Sequence, residues 1–328
     1  MMGEVQPILE VTNLKQYFYL KKEKLFGEKQ VVRAVDDISF QLYEGETLSI
    51  VGESGCGKST TGRSILRLDE PTDGSISLFG ENLLAMTQKQ LRVARKDIQI
   101  IFQDPYASLN PRRTIRQMLS EAMSIQDVVP KDKQEARMIE LMQLVGLQPE
   151  YLERYPHEFS GGQRQRIGIA RALSVNPKII ICDESVSALD VSIQAQILNL
   201  LKKLQKELGL TLLFISHDLS VVRHISDRVI VMYLGKIVEI ANKKSLFATP
   251  VHPYTRALFS AIPTVEKGQK RERIILKGDV PSPLNPPTGC RFHTRCPFAT
   301  EQCKQKEPQL LEVKDGHRAA CHYWENFL

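Results

Sequence analysis

The sequence predicts an α/β fold, a largely parallel sheet covered by helices on both faces. Three observations predict it. Apolar runs of strand length recur at 47–51, 98–102, 178–182 and 211–215, too short to be anything but strands or helix fragments. Helical patterns alternate with them, most clearly in Val191–Leu208, where Ile193, Ile197, Leu200, Leu204 and Leu208 share one face. The first run also ends in a glycine-rich loop that opens a helix over 59–68. Strand, loop, helix is the order that a phosphate-binding loop requires.

The 328 residues suffice for one large domain, or a large domain with a small one. Apolar residues make up 42% and charged residues 25%, an ordinary globular balance. No apolar run approaches the ~20 residues that span a bilayer. Residues 1–10 carry no basic patch followed by an apolar stretch, so no signal peptide is expected. The chain is therefore expected in the cytoplasm, with any membrane role supplied through partners. The net charge of +6 is dispersed, and its densest stretch is 267–273. A nucleic-acid surface concentrates its charge and interleaves aromatics; this pattern reads as a solvated face.

In chain order, chemistry begins at Gly52, Glu53, Ser54, Gly55, Cys56, Gly57, Lys58, Ser59 and Thr60, which fit G-x-x-x-x-G-K-S. The glycines let backbone N–H groups turn inward around phosphate oxygens, and the helix start adds partial positive charge. Lys58 can reach the β and γ phosphates of ATP, and the Ser59 hydroxyl can ligate Mg²⁺. Cys56 fills a variable slot and is not read as a nucleophile. Gln103 follows the run 98–102; its amide can touch both metal and attacking water. Residues 104–160 contain prolines and an amphipathic run at 135–147, and read as a mostly helical insertion.

Ser160, Gly161, Gly162 and Gln163 open a helix that runs to Leu173. Ser160 is a natural N-cap, and the two glycines leave helix amides open to an anion. This is a second phosphate-binding surface on a chain with one complete phosphate loop, and a head-to-tail dimer is the economical solution. The run 178–182 leads to Asp183, placed to hold the Mg²⁺ shell, and to Glu184. Asp190 closes the loop Ser187-Ala188-Leu189-Asp190, and His217 follows the run 211–215 at a position able to contact γ-phosphate. Runs 228–233 and 236–240 flank Leu234-Gly235 as a hairpin. Beyond about 245, Pro250, Pro253, Pro263, Pro281, Pro283, Pro286 and Pro287 break up any long element. The expected division is a nucleotide-binding domain over 1–245 and a small loop-rich module over 246–328.

Cys290, Cys296, Cys303 and Cys321 crowd into that module, spaced by five, six and seventeen residues, while Cys56 and Cys182 stand alone. Four thiolates can hold a [4Fe–4S] cluster or a tetrahedral Zn²⁺. The tight C-x2–4-C pairs favoured by structural zinc are absent. Free thiols remain a third reading, and His293, His317 and His322 lie nearby as substitute ligands.

This ordered set of motifs resembles the ATP-binding-cassette (ABC) ATPases over roughly residues 8–245. The resemblance implies a P-loop NTPase with a RecA-like core, an antiparallel β subdomain and a helical insertion. It implies Phe18 as the adenine-stacking aromatic, with Tyr17 and Tyr19 as alternatives, since the family places this aromatic four residues after a leucine, here Leu14. Glu184 becomes the general base that polarises the attacking water, a role suited to phosphoryl transfer, where positioning outweighs covalent chemistry. The helix opened by Ser160 would cap ATP on a partner cassette, and Asp190 would cross to the opposite site. Two departures stand out: Ser185 where the family has proline, and Phe159 where leucine is commoner. Asp183 and Glu184 are intact, so hydrolysis is expected to survive.

A narrower resemblance covers nearly the whole chain. Gly52 to Lys58, the stretch from Gln103 to Pro111, and Tyr155-Pro156-His157-Glu158-Phe159 look like the ATPase subunits of bacterial oligopeptide and dipeptide importers. So do Leu189-Asp190-Val191-Ser192-Ile193-Gln194-Ala195-Gln196 and His252-Pro253-Tyr254-Thr255. The stretch from Gln103 to Pro111 leans toward the second of the two paired ATPases. This implies a sister ATPase, two transmembrane permease subunits docked on 104–160, an extracytoplasmic peptide-binding protein, and a peripheral place on the cytoplasmic face of the membrane. Some importer ATPases of this kind carry an iron–sulfur cluster on such a tail, which tips the cysteine reading to [4Fe–4S] over zinc. Related systems also carry nickel chelates and sugars. DNA-associated ABC ATPases insert a long coiled coil where only 57 positions separate Gln103 from Ser160.

Overall fold

The computed structural model describes residues 6–20, 30–187, 189–261 and 273–328. Ala188, Pro263 and the basic stretch up to residue 272 lie outside them. In chain order the elements begin β1 (Leu9–Tyr19), β2 (Val31–Leu42), β3 (Thr47–Val51), α1 (Lys58–Ile65), β4 (Asp73–Leu78), β5 (Glu81–Asn82), α2 (Gln88–Ala94) and β6 (Ile98–Ile101). There follow α3 (Pro105–Ser108), α4 (Ile115–Gln126), α5 (Gln134–Leu144), α6 (Gly161–Leu173), β7 (Ile179–Asp183), α7 (Val191–Leu208), β8 (Thr211–Ser216) and α8 (Leu219–Ile225). Last come β9 (Arg228–Tyr233), β10 (Lys236–Asn242), α9 (Lys243–Ala248), α10 (Pro253–Ser260), α11 (Glu301–Gln305), β11 (Leu311–Lys314) and β12 (His317–Ala319). The chain divides into two compact units, one of residues 1–8, 42–47 and 78–215, the other of residues 9–41, 48–77 and 216–328.

In the first unit, β6, β7 and β8 run parallel, with Ile98 opposite Ile179 and Ile179 opposite Thr211. Every residue of β7 is buried, which is why its sequence is a continuous apolar run and does not alternate. The insertion is helical as expected, and α4, α5 and α6 pack on one another. The starts of α2, α4 and α6 share one device. Thr87, Thr114 and Ser160 each accept the amide three residues on, and a glutamine there reaches back to the cap amide. The buried face of α7 is Ile197, Leu198, Leu200, Leu201 and Leu204, while Leu208 is exposed. The 3.6-residue period drifts off a strict four-residue stride, so Leu198 and Leu201 rotate in as Leu208 rotates out.

In the second unit, β1 lies between β2 and β4. A second sheet orders β11-β12-β10-β9-β3, with β3 and β9 parallel and the other pairs antiparallel. The expected β9–β10 hairpin turns on Leu234 and Gly235, with φ of 44° and 77°, the two positive values of a type I′ turn. Helix α1 stops three residues before the predicted end. Arg67 sits at φ 50°, and the amides of Arg67 and Leu68 bond back to Ser64 and Arg63, a Schellman termination. Glu239 of β10 lies opposite Ala319 of β12, so the C-terminal residues complete a sheet begun before residue 245. The core of this unit gathers Val51, Val231, Tyr233, Tyr254 and Phe292 among others.

Candidate functional site

The phosphate loop leaves the end of β3 and enters α1 within the second unit. Two glycines are dictated by space. A Cβ on Gly52 would lie 2.2 Å from the Met232 carbonyl oxygen, and one on Gly57, at φ +102°, would lie 2.1 Å from that of Ala34. No side chain caps α1, so its first-turn amides suit an anion. Buried Lys58 bends back over the loop, its Nζ donating to the carbonyls of Gly52 at 2.9 Å and Glu53 at 3.0 Å. Ser54 and Gly55 are exposed, and Ser59 and Thr60 are half-buried. Burial pushes the Cys56 thiol up, against the opposing pull of Lys58, which keeps it protonated and unreactive at neutral pH.

Phe18 projects from β1 and is 38% exposed, as a stacking aromatic must be. Tyr17 is occupied, its Oη donating to Asp36 Oδ1 at 2.5 Å. His217 directly follows β8 and is exposed.

The first unit carries the other expected groups. Asp183 ends β7 and is buried. Glu184 turns away from the strand at φ 44°, its amide donating to Ile215 O at 2.9 Å. The turn aims its carboxylate at Gln103, whose Nε2 donates to Glu184 Oε2 at 2.7 Å. Two residues 81 positions apart thus meet. At the start of α6, Ser160 accepts the Gln163 amide and Gln163 Oε1 accepts the Ser160 amide. A Cβ on Gly162 would meet Ile193 at 2.5 Å, so this glycine also lets α6 approach α7. Asp190 is exposed at the start of α7.

The expected residues divide between the two units, and Gln103 and Glu184 are joined by a hydrogen bond. Gln103, Asp183, Glu184, Ser160–Gln163 and Asp190 belong to the first, and Phe18, the phosphate loop and His217 to the second. Residues that sequence reasoning missed surround the loop. Glu53 donates its amide to Tyr254 Oη at 2.9 Å, and its carboxylate takes both terminal nitrogens of Arg295, at 2.7 and 3.2 Å. The only signal for Tyr254 was its place in the family-like stretch His252 to Thr255; Arg295 had none.

Cys290, Cys296, Cys303 and Cys321 line one apolar pocket with Phe298 and Phe327. Burial pushes the Cys290 thiol up to about 12 and Cys321 up to about 11, and raises Cys296 as well. Among the described residues, no group of three or more His, Cys, Asp or Glu is arranged to hold a metal ion. What the pocket offers a metal is donor type alone, four thiols lining one apolar cavity. Ser59 in the second unit and Asp183 in the first each carry a hard oxygen donor of the kind Mg²⁺ prefers.

The ABC transporter family matches residues 35–187, and the family "Oligopeptide/dipeptide transporter, C-terminal region" matches residues 238–303. The chain is 55% identical over 323 residues to a putative oligopeptide transport ATP-binding protein, YkfD, of Bacillus subtilis, covering 98% of this chain and 96% of that one. It is 54% identical to the oligopeptide transport ATP-binding protein AppF of the same organism, over 97% and 98% of the two chains. The dipeptide transport ATP-binding protein DppF of Haemophilus influenzae is 50% identical over 98% of each chain. Among solved structures, cbiO1 of Clostridium perfringens, part of an ABC transporter complex, superposes with a TM-score of 0.62 at 29% identity, over 74% of this chain and 91% of that one. The ATP-binding cassette MJ0796, in a dimeric post-hydrolysis state with ADP and Pi, gives 0.62 at 29% identity, over 72% and 98%.

Proposed function

Because this chain belongs to the ABC ATPases of oligopeptide and dipeptide transporters, we propose that it powers peptide import as the second of two paired ATPases on a pair of permease subunits, fed by an extracytoplasmic peptide-binding protein. It is an ATPase of the P-loop type. The observation that carries the peptide reading is identity of 50% or more along nearly the full length, C-terminal region included, to proteins named for oligopeptide or dipeptide transport. No helix among the described residues is long and apolar enough to cross a membrane, and the proposed place of work is the cytoplasmic face, docked through 104–160.

The proposed roles follow from the chemistry of each group. Phe18 stacks on adenine. The amides of the loop Gly52 to Thr60 wrap the phosphates, and Lys58 exchanges its two loop carbonyls for phosphate oxygens. Ser59, Asp183 and Gln103 hold Mg²⁺, which when bound neutralises charge on the β and γ phosphates. Glu184 orients and deprotonates the attacking water, Gln103 holds the Glu184 carboxylate, and His217 contacts the γ-phosphate. Ser160 to Gln163 and Asp190 act on the nucleotide of the partner cassette. Residues 1–245 form the nucleotide-binding domain and 246–328 the C-terminal module.

Reconstitution with the permeases and the sister ATPase tests the reading. Peptide uptake into proteoliposomes should require ATP and fail with Lys58→Ala. Uptake that persists in that variant removes the energising role; hydrolysis without peptide uptake removes the cargo.

Cys290, Cys296, Cys303 and Cys321 are proposed to hold a [4Fe–4S] cluster, with Zn²⁺ as the alternative. Bound to thiolates in this buried setting, such a group would tie the segment together. Anaerobically purified chain should contain about four irons and four acid-labile sulfides. One zinc and no iron would make the tail a zinc knuckle.

A further inference from the structure

The phosphate loop is held from behind by residues more than two hundred positions downstream. Arg295 presents a planar fork to the Glu53 carboxylate, its Nη1 2.7 Å from Oε2 and its Nη2 3.2 Å from Oε1. This two-toothed geometry fixes orientation as well as charge. The Arg295 side chain is only 8% exposed, so solvent screens the pair weakly. Tyr254 is fully buried, locked between Tyr233 at 4.8 Å and Phe292 at 5.4 Å between ring centroids. Its hydroxyl oxygen accepts the Glu53 amide at 2.9 Å. Backbone and side chain of one loop residue are thus both anchored to the C-terminal segment, and the next carbonyl contacts go inward to Lys58.

We propose that Arg295 and Tyr254 are positioning residues of the phosphate loop, through Glu53, so that nucleotide affinity depends on the C-terminal segment. The proposal rests on the reading of Gly52 to Thr60 as the ATP phosphate site. Glycine-rich backbone loses the most conformational freedom on ordering. A loop that is already ordered spends none of its binding free energy on that step, whereas a loop ordered only part of the time binds more weakly in proportion to that fraction. Ser54 and Gly55 at the tip are exposed and nothing falls within 4 Å of a Cβ on Gly55, so side-chain packing at the tip does not hold the loop. Arg295 precedes Cys296 and Tyr254 follows Pro253, so residues lining the thiol pocket and those gripping the loop are immediate chain neighbours.

The test is binding of a fluorescent ATP analogue with Mg²⁺ to the full-length chain, alongside kcat and KM of the reconstituted transporter. Arg295→Ala and Glu53→Ala should each raise Kd and KM about tenfold, the equivalent of 1.4 kcal/mol, and Arg295→Ala should leave kcat within about twofold. The double variant should be no worse than either single one, because both remove the same contact. Arg295→Lys keeps the charge without the fork and should recover part of the loss. Tyr254→Phe, which removes only the acceptor of the Glu53 amide, should raise Kd by about threefold. Should Arg295→Ala fail to fold, Glu53→Gln and Tyr254→Phe carry the same test. Unchanged Kd in these variants, or single effects that multiply in the double variant, overturns the proposal. Lys58→Ala separates the two levels: if it leaves nucleotide binding intact, the phosphate-loop reading fails and this proposal with it. If it abolishes binding while the Arg295 and Tyr254 variants bind normally, the proposal alone fails.

Discussion

Glu184→Gln removes one negative charge from the end of β7 while keeping the volume of the side chain. The contact with Gln103 also survives, since the amide oxygen of the new side chain can accept the Nε2 hydrogen bond that Glu184 Oε2 takes at 2.7 Å. Geometry is retained and basicity lost. A positioned general base contributes on the order of 10²- to 10⁴-fold, about 2.7–5.4 kcal/mol of barrier. The expected result is a fall in kcat of that size, with Kd for Mg-ATP within about threefold and ATP trapped unhydrolysed. Phosphate release at saturating ATP reads the first quantity and a fluorescent analogue reads the second. A kcat within about tenfold of the parent refutes the assignment of the base; a parallel rise in Kd shows that the charge served binding. The backbone supplies a second arm. Glu184 sits at φ 44°, where a side chain costs about 1–2 kcal/mol, while glycine there carries an unfolded-state entropy penalty of about 0.5–1 kcal/mol. Glu184→Gly should therefore be as stable as the parent, or up to about 1.5 kcal/mol more so, yet equally inactive. Early unfolding of that variant would show that the turn stores no strain.

Other perturbations probe the second unit. Arg291 bonds both Leu234 O and the Asp36 carboxylate, and removing one partner of a buried pair costs about 3–5 kcal/mol, so Arg291→Ala should lower the urea midpoint markedly. Burial pushes Asp36 up, but the Tyr17 hydrogen bond with the charges of Arg291 and Lys236 outweighs it and holds the carboxyl below its usual value of 3.8. A depressed folded value stabilises above the unfolded one, so the Asp36 contribution should be complete above about pH 4 and fade as pH falls through the lowered value; in Arg291→Ala that fading should be weaker. His317 Nε2 lies 2.7 Å from Glu239 Oε1, and its Nδ1 2.9 Å from Ser245 Oγ. His317→Ala should cost about 1–3 kcal/mol and speed amide exchange in β12 before β9; unchanged exchange there would remove the clasp. Gly57→Ala must displace the Ala34 carbonyl, 2.1 Å from the new Cβ, and should cost about 1–3 kcal/mol and abolish nucleotide binding, read by denaturation and by the fluorescent analogue.

Much of the architecture was legible because it is local. Strand runs such as 47–51 coincide with the observed β3, and the α7 pattern coincides with Val191–Leu208, since burial on both faces of a strand and on one face of a helix imposes its period on adjacent residues. The capping threonines and serine of α2, α4 and α6 act on amides three residues away. The phosphate loop was legible for a different reason: Gly52 and Gly57 are demanded by carbonyls pressed against them, and only glycine meets that demand.

The identity and order of the chemical groups were thus readable along the chain, because each motif is set by residues close to one another in it. Tertiary structure alone decided how remote groups meet. Glu53 and Arg295 are 242 positions apart, and Glu239 and His317 are 78 apart. No periodicity or turn chemistry links such pairs; only packing of the folded chain does. That β12 would add to β10 follows from the same cause, since a contact closed across a long loop leaves no trace in the residues on either side of it.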